Sequence, residues 1–353
     1  MLANSSAQLS EYDSSPGQLE LESTMRNLSF NIVSQYLSMY YICIPIEIIA
    51  ILTTFAGFLS VITDRKLRCK KTFLIIAVLL FGFFASAFGS LTSIVILLIN
   101  LKLYGHVVVS NRTCFAISQP YSFGFSLVSD AGFALAVDRS LAIVLPVWYN
   151  KEYKEWMLQI QFLIMLAHYG IWTVIASVRL HDRLLPICTP ASDNTNTVQV
   201  AQMAVKSSLL ALTVLVYLVL IIWVKRKLYA VKDNAQLYSK RQRQLKSRLL
   251  STLMICVLIH VATVCAGAII GCFVMSQVDP SKAMSIAKFG IVTETSGPLN
   301  AAFLYARTKE LQVSLFNSFS RIARLFGVKM ATKVMPTTTH SFGTRCAGSL
   351  TEH

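Results

Sequence analysis

The segment Cys114–Pro146, CFAISQPYSFGFSLVSDAGFALAVDRSLAIVLP, decides the fold. Behind Cys114 and Pro120 runs FGFSLVSDAGFALAV, an apolar stretch that, with its flanks, is long enough to cross a bilayer. It ends abruptly in Asp138-Arg139-Ser140, an acid and a base side by side where a membrane helix meets headgroups. At about 1.5 Å of rise per residue, Cys114 and Arg139 stand about 37 Å apart, near opposite membrane faces. A charged pair at the inner edge is tolerable because both groups reach headgroups or each other, and separating helices would free the base for a partner. The plainer reading is a boundary salt bridge, since many membrane helices end in basic residues.

The surrounding chain fits a membrane setting. Its 353 residues are 54% hydrophobic and only 14% charged, with a mean hydropathy of +0.57, too apolar for a typical soluble protein of this length. The formal net charge of +15 raises nucleic acid as a partner. That reading needs a basic face on a soluble domain, whereas here the basic residues form short clusters between apolar runs. Hydropathy places seven spans at about 40–62, 72–99, 115–137, 156–178, 200–224, 249–275 and 284–305. The expected fold class is therefore an all-α membrane protein, a seven-transmembrane helix bundle. Lys309 to Phe326 places Leu311, Leu315, Phe316, Phe319, Ile322 and Phe326 at near-helical spacing, which predicts an amphipathic eighth helix in the interface.

An odd number of spans puts the termini on opposite sides. With the N-terminus outside, 24 of the 32 Lys and Arg residues fall in cytoplasmic segments, as the positive-inside rule requires. The three N-glycosylation sequons, at Asn4, Asn27 and Asn111, all fall in segments assigned outside. The expected organisation is an extracellular tail over 1–39, flexible and glycosylated, a seven-span domain over 40–305, a cytoplasmic amphipathic helix over 306–326, and a disordered cytoplasmic tail over 327–353. No basic region precedes an apolar core in the first 30 residues, so the first span is expected to act as the targeting signal. Cys43, Cys256, Cys265 and Cys272 lie inside apolar runs and read as small hydrophobes, whereas Cys114 and Cys188 fall in loops on one side.

The third span, beginning at a cysteine and closing on an Asp-Arg-Ser triplet, resembles the rhodopsin-like seven-helix G-protein-coupled receptors. In DRSLAIVLPVWY it is similar to nematode serpentine chemoreceptors of the Srsx family. The resemblance implies a disulfide between Cys114 and Cys188, in an oxidising compartment where such bonds persist. It implies a G-protein switch at Asp138 and Arg139, with Tyr217 of the fifth span turning toward Arg139 in the active state. Asn300, in SGPLNAAFLYARTKEL, matches the family's seventh-helix Asn-Pro-x-x-Tyr, aligned on Arg307-Thr308-Lys309-Glu310. Both the Pro and the Tyr are replaced, with Pro298 two residues earlier to supply a kink and Tyr305 one position on. Phe81-Gly82 stands where an acidic sodium-site residue is expected, so no allosteric sodium is expected either. The implied partners are an extracellular ligand, a heterotrimeric G protein, the bilayer of the plasma membrane and, in a receptor dimer, a second receptor.

Glu47, Asp130, His168, His260, Lys288 and Glu294 lie within spans. Charges in hydrocarbon are costly, so these residues are expected to face the bundle interior or its ends. Asp130 is expected to find a partner on a neighbouring helix. Where amine receptors keep an acid the chain has Tyr121, followed inward by Ser122, Phe125 and Ser126, so an aminergic counter-ion is absent from its usual place. Tyr121, Ser122, Phe125 and Glu294 are the candidate ligand contacts. No catalytic constellation and no metal-ligating or cofactor-binding motif occurs, so neither an enzyme nor a cofactor is expected. Two other readings stay open. One is a seven-helix channel or transporter using the buried acids as a polar pathway, although they do not repeat between two halves. The other is a non-signalling membrane partner of other receptors.

Overall fold

The computed structural model describes residues 16–104, 109–151, 155–180, 184–185, 196–230, 252, 254–263 and 295–325. In chain order these form helices α1 (Pro16–Thr63), α2 (Arg65–Arg68), α3 (Lys71–Tyr104), α4 (Asn111–Val144), α5 (Pro146–Lys151), α6 (Glu155–Val178) and α7 (Asn196–Ala230). They continue with α8 (Met254–Thr263), α9 (Ser296–Arg307) and α10 (Lys309–Leu325). A two-residue strand before α4 and another before α7 pair antiparallel, Val109 with Leu185 and Ser110 with Leu184.

Four segments are long and apolar enough to cross a membrane: Tyr40–Thr63, Lys71–Tyr104, Trp156–Val178 and Ala204–Trp223. Their outward faces carry exposed Ile49, Leu52, Leu163, Ile164, Val174, Leu215 and Val219, an arrangement suited to acyl chains and not to water. Helix α4 matches α3 in length but holds Asp130, Asp138 and Arg139. It can do so because it lies inside the bundle, packed most extensively against α3 and then against α7 and α6, so its polar groups meet protein. Backbone proximity makes the α3–α4 seam tight. A Cβ on Gly124 would overlap the Ser86 amide nitrogen and crowd the Gly82 carbonyl, so a side chain of any size there would push the two helices apart. Ile76, Leu80, Leu135, Tyr217, Leu304 and Leu311 are fully buried and mark the core where α3, α4, α7, α9 and α10 converge.

Helix occupies the described part of the segment expected as an extracellular tail over 1–39. Helix α1 begins at Pro16 and runs 48 residues without a break. Proline suits the first turn of a helix, where its missing N–H costs nothing, and no Gly or Pro follows Gly17 until Pro45. Residues 1–15 and 326–353 lie outside the described residues, as does most of the expected sixth span.

Helix α10 occupies the residues expected of the amphipathic helix. It is tied to the inner end of α1 by the Ser314 hydroxyl, which donates to the Ser60 carbonyl at 2.9 Å. Leu311 is fully buried at that junction. Lys70 and Glu310 add an exposed ion pair at 3.9 Å, worth at most about 1 kcal/mol.

Candidate functional site

The inner end of α4 is built around one carboxylate. Asp138 is fully buried, and three elements supply it with donors. Arg139 brings its Nε to Oδ2 at 3.0 Å and its Nη2 to the same oxygen. Thr72, in the first turn of α3, donates its hydroxyl to Oδ2 at 3.2 Å. Tyr149, in the short α5 that follows Pro146, donates its phenol to Oδ1 at 2.7 Å. Burial first, and the neighbouring Asp138 charge second, hold the Tyr149 phenol well above its usual range, so it remains a donor. The Lys71 ammonium sits 5.6 Å from the centre of the Tyr149 ring. A buried charge is stable only when paired and hydrogen-bonded, and Asp138 meets both conditions. Thr72 and Tyr149 were not anticipated from sequence. The second carries a signal in hindsight, since Pro146 opens a short helix that returns the aromatic pair Trp148-Tyr149 toward the end of α4.

Tyr217 is fully buried, with no hydrogen-bond partner for its hydroxyl among the described residues. It lies near enough to Arg139 and Asp138 for their charges to act on it. Asn300 is also buried; its Nδ2 donates to the Ser296 hydroxyl at 3.4 Å, while its Oδ1 is left without a partner. Ser296 meets His260 Nδ1 at 3.0 Å, which joins α8 to α9. Thr213, Cys256, His260 and Asn300 line a small cavity of about 20 Å³ with Val128 and Gly132 of α4, room for about one water molecule. Tyr305 turns elsewhere. Its hydroxyl donates to the Thr53 carbonyl of α1, and Gly57 leaves the space, because a Cβ there would overlap that hydroxyl. The seventh-helix tyrosine of this chain is thus bound to α1.

Further out, Tyr121 and Phe125 stack with ring centroids 6.3 Å apart and an 8° tilt. Ser122 is partly buried beside them. The Lys206 ammonium of α7 lies 4.9 Å from the Phe125 centroid, and the His260 ring approaches Phe125 at 6.0 Å and Phe83 edge-on at 5.7 Å. Lys206 is 4% exposed. It was not singled out from sequence, although it stands six residues inside the expected fifth span, between Val205 and Ser207.

Asp130 meets the expectation of a partner on a neighbouring helix. Its two oxygens receive His168 Nδ1 of α6 at 3.1 and 2.9 Å. Trp172 donates its indole N–H to His168 Nε2 at 3.0 Å. An indole can only donate, so Nε2 must accept, the proton sits on Nδ1, and His168 is neutral while Asp130 carries the charge. Tyr169 adds a second tie from α6, donating to Gln119 Oε1 at 2.6 Å.

Several expected residues fall elsewhere. Cys188, Glu294 and Asn4 lie outside the described residues. Asn27 lies in α1, in the part expected to be flexible. Asn111, expected as a glycan acceptor, is only 3% exposed at the first residue of α4. Ser110 caps that helix by accepting from the Thr113 amide at 3.2 Å.

Long apolar helices, a central helix whose acid-base pair is buried at one end, and an aromatic cluster toward the other describe a receptor-like bundle. The chain matches no curated protein. The family described as serpentine type 7TM GPCR chemoreceptor Srsx matches residues 59–318, about three quarters of the chain, from the end of α1 into α10. With both the helices and that match in agreement, the chain belongs to the Srsx family of serpentine seven-transmembrane chemoreceptors.

Proposed function

We propose that the protein is a plasma-membrane chemosensory receptor that binds an extracellular ligand and activates a heterotrimeric G protein. Its family is one of receptors and not of enzymes. The observation that carries the reading is the Asp138 cluster, in which a buried acid holds Arg139 with help from Thr72 and Tyr149 on two other elements. Such a cluster has two discrete states, closed with Arg139 on Asp138 and open with Arg139 available to a partner. Tyr217, buried near it with an idle hydroxyl, supplies a polar group for Arg139 once the pair parts. Asn300, with its idle carbonyl on the small cavity, is the seventh-helix element of the same relay.

On this reading the N-terminus is extracellular and the C-terminus cytoplasmic, in keeping with the distribution of Lys and Arg. Ligand enters among Tyr121, Ser122 and Phe125, with Glu294 on the seventh span. Cys114 and Cys188 form a disulfide over the bundle, in keeping with the strand pair that brings the chain just before α4 against the segment just before Cys188. Glycans sit on Asn4 and Asn27. A ligand drives the transition only by the difference in its affinity for the closed and open states.

The test is nucleotide exchange on a panel of G proteins in membranes carrying the chain, against Arg139→Ala. Exchange above that of empty membranes, altered by the substitution, is the expected result. Surface-expressed protein that promotes no exchange with any G protein, with odorant and peptide extracts added, would sink the signalling reading.

A further inference from the structure

Lys206 is a cation in the wrong place for a structural role. It is 4% exposed, and among the described residues it makes no hydrogen bond or ion pair, only the contact of its ammonium with the Phe125 ring face. A buried ammonium has three donors and a desolvation cost of several kcal/mol that one aromatic face does not offset. The obvious counter-charge, Asp130, is close enough for its charge to be felt at Lys206, but both its oxygens are turned to His168. His168 is locked in its neutral form by Trp172, so Asp130 and Lys206 balance in charge while Lys206 still lacks an acceptor.

A second idle group stands against the same ring. His260 packs on Phe125, is fixed through Nδ1 to Ser296, and its buried Nε2 has no partner among the described residues. Directly inward, Leu210 and Val128, one turn beyond Lys206 and Phe125, line the small cavity that His260 also borders. The rings around these two groups are aromatic: Phe83 packs edge-on against His260, and Tyr121 stacks on Phe125.

We infer that Lys206 of α7 and His260 of α8 anchor the carboxylate of a small ligand with an apolar body, against the Tyr121–Phe125 stack. One ammonium and one imidazole match a single negative charge, whereas a phosphate or sulfate carries more charge or more acceptors than two such donors satisfy. A cationic ligand is disfavoured, because Asp130 is occupied and Lys206 repels it. The inference names the ligand class of the proposed receptor and rests on that reading only for its biological meaning, since the binding itself needs no G protein.

The experiment uses the full chain in lipid nanodiscs and reads ligand binding by saturation-transfer NMR and by the thermal unfolding midpoint. The probes are short straight-chain and aromatic monocarboxylates at millimolar concentration, each beside the amide and the amine of the same carbon skeleton. At least one acid should bind and raise the midpoint while its amide and amine do not. Lys206→Met should weaken that binding at least about tenfold, and Lys206→Arg should retain most of it. The unliganded Lys206→Met chain should differ little in stability from the parent, because the loss of a buried ammonium without an acceptor offsets the loss of its charge balance with Asp130. No acid binding, amides binding as well as acids, or Lys206→Met leaving affinity unchanged would each overturn the assignment. So would a marked loss of stability in unliganded Lys206→Met, which would make Lys206 the structural partner of Asp130. Acid binding with no exchange on any G protein would sink the signalling reading and leave the ligand class standing; exchange without acid binding would do the reverse.

Discussion

Replacing Tyr149 with Phe removes one oxygen from the Asp138 cluster and nothing else. The ring stays, and with it the Lys71 contact at 5.6 Å. What disappears is the 2.7 Å donation to Oδ1, together with the hydroxyl's contact with Arg139, leaving that oxygen bare while Arg139 and Thr72 continue to hold Oδ2. A hydrogen bond to a buried charged group contributes about 1.5–3 kcal/mol. The Tyr149 hydroxyl regains water when the cluster opens, so the lower end applies. About 1.4 kcal/mol is tenfold in an equilibrium, which moves the closed-to-open ratio about tenfold toward open. Basal nucleotide exchange in membranes should rise accordingly, before any ligand is added, and the thermal midpoint of the purified chain should fall. Because burial and Asp138 keep the phenol above its usual range, it stays protonated around neutrality and the effect should not vary with pH there. Tyr149→Phe protein with the basal exchange and midpoint of the parent would refute the argument that Tyr149 holds the cluster shut.

Three further outcomes follow from other parts of the bundle. Gly57→Ala should destabilise the parent by more than it destabilises Tyr305→Phe, because its methyl overlaps the Tyr305 hydroxyl; a thermal double-mutant cycle that proves additive would disprove the coupling. Gly124→Leu should cost at least about 1–3 kcal/mol and reduce surface expression, since the side chain drives α4 off the Ser86 backbone. On gels of membrane-expressed protein, Asn4→Gln and Asn27→Gln should each remove one glycan-dependent shift, whereas Asn111→Gln should leave the pattern unchanged; loss of a shift with Asn111→Gln would show that the α4 corner opens during synthesis.

What could be read from the sequence was set by how far each property depends on residues near in the chain. Apolar runs of membrane length are local, so the positions of α3, α6 and the spanning parts of α1 and α7 agreed with expectation within a few residues. The start of α1 at Pro16 was not legible, because helix continuation has no polarity signature. Asp138 and Arg139 were found because they are adjacent and end an apolar run. Thr72 lies 66 residues from Asp138, and no local pattern ties the two. Lys206 was missed for a related reason: whether a lysine near a span end reaches water depends on what covers it.

The two ties from α6 have a mechanical consequence. Much of this helix presents apolar side chains outward, and among the described residues its hydrogen-bonded links to α4 are the Asp130–His168 and Gln119–Tyr169 contacts. Packing against a smooth apolar face would let a helix slide or roll by small amounts at little cost. Directional bonds in hydrocarbon allow no such drift, because a half-broken one finds no water to replace it. Helix α6 therefore behaves as a part pinned at two points, held in one register until a pin is pulled, and not as a part that slips.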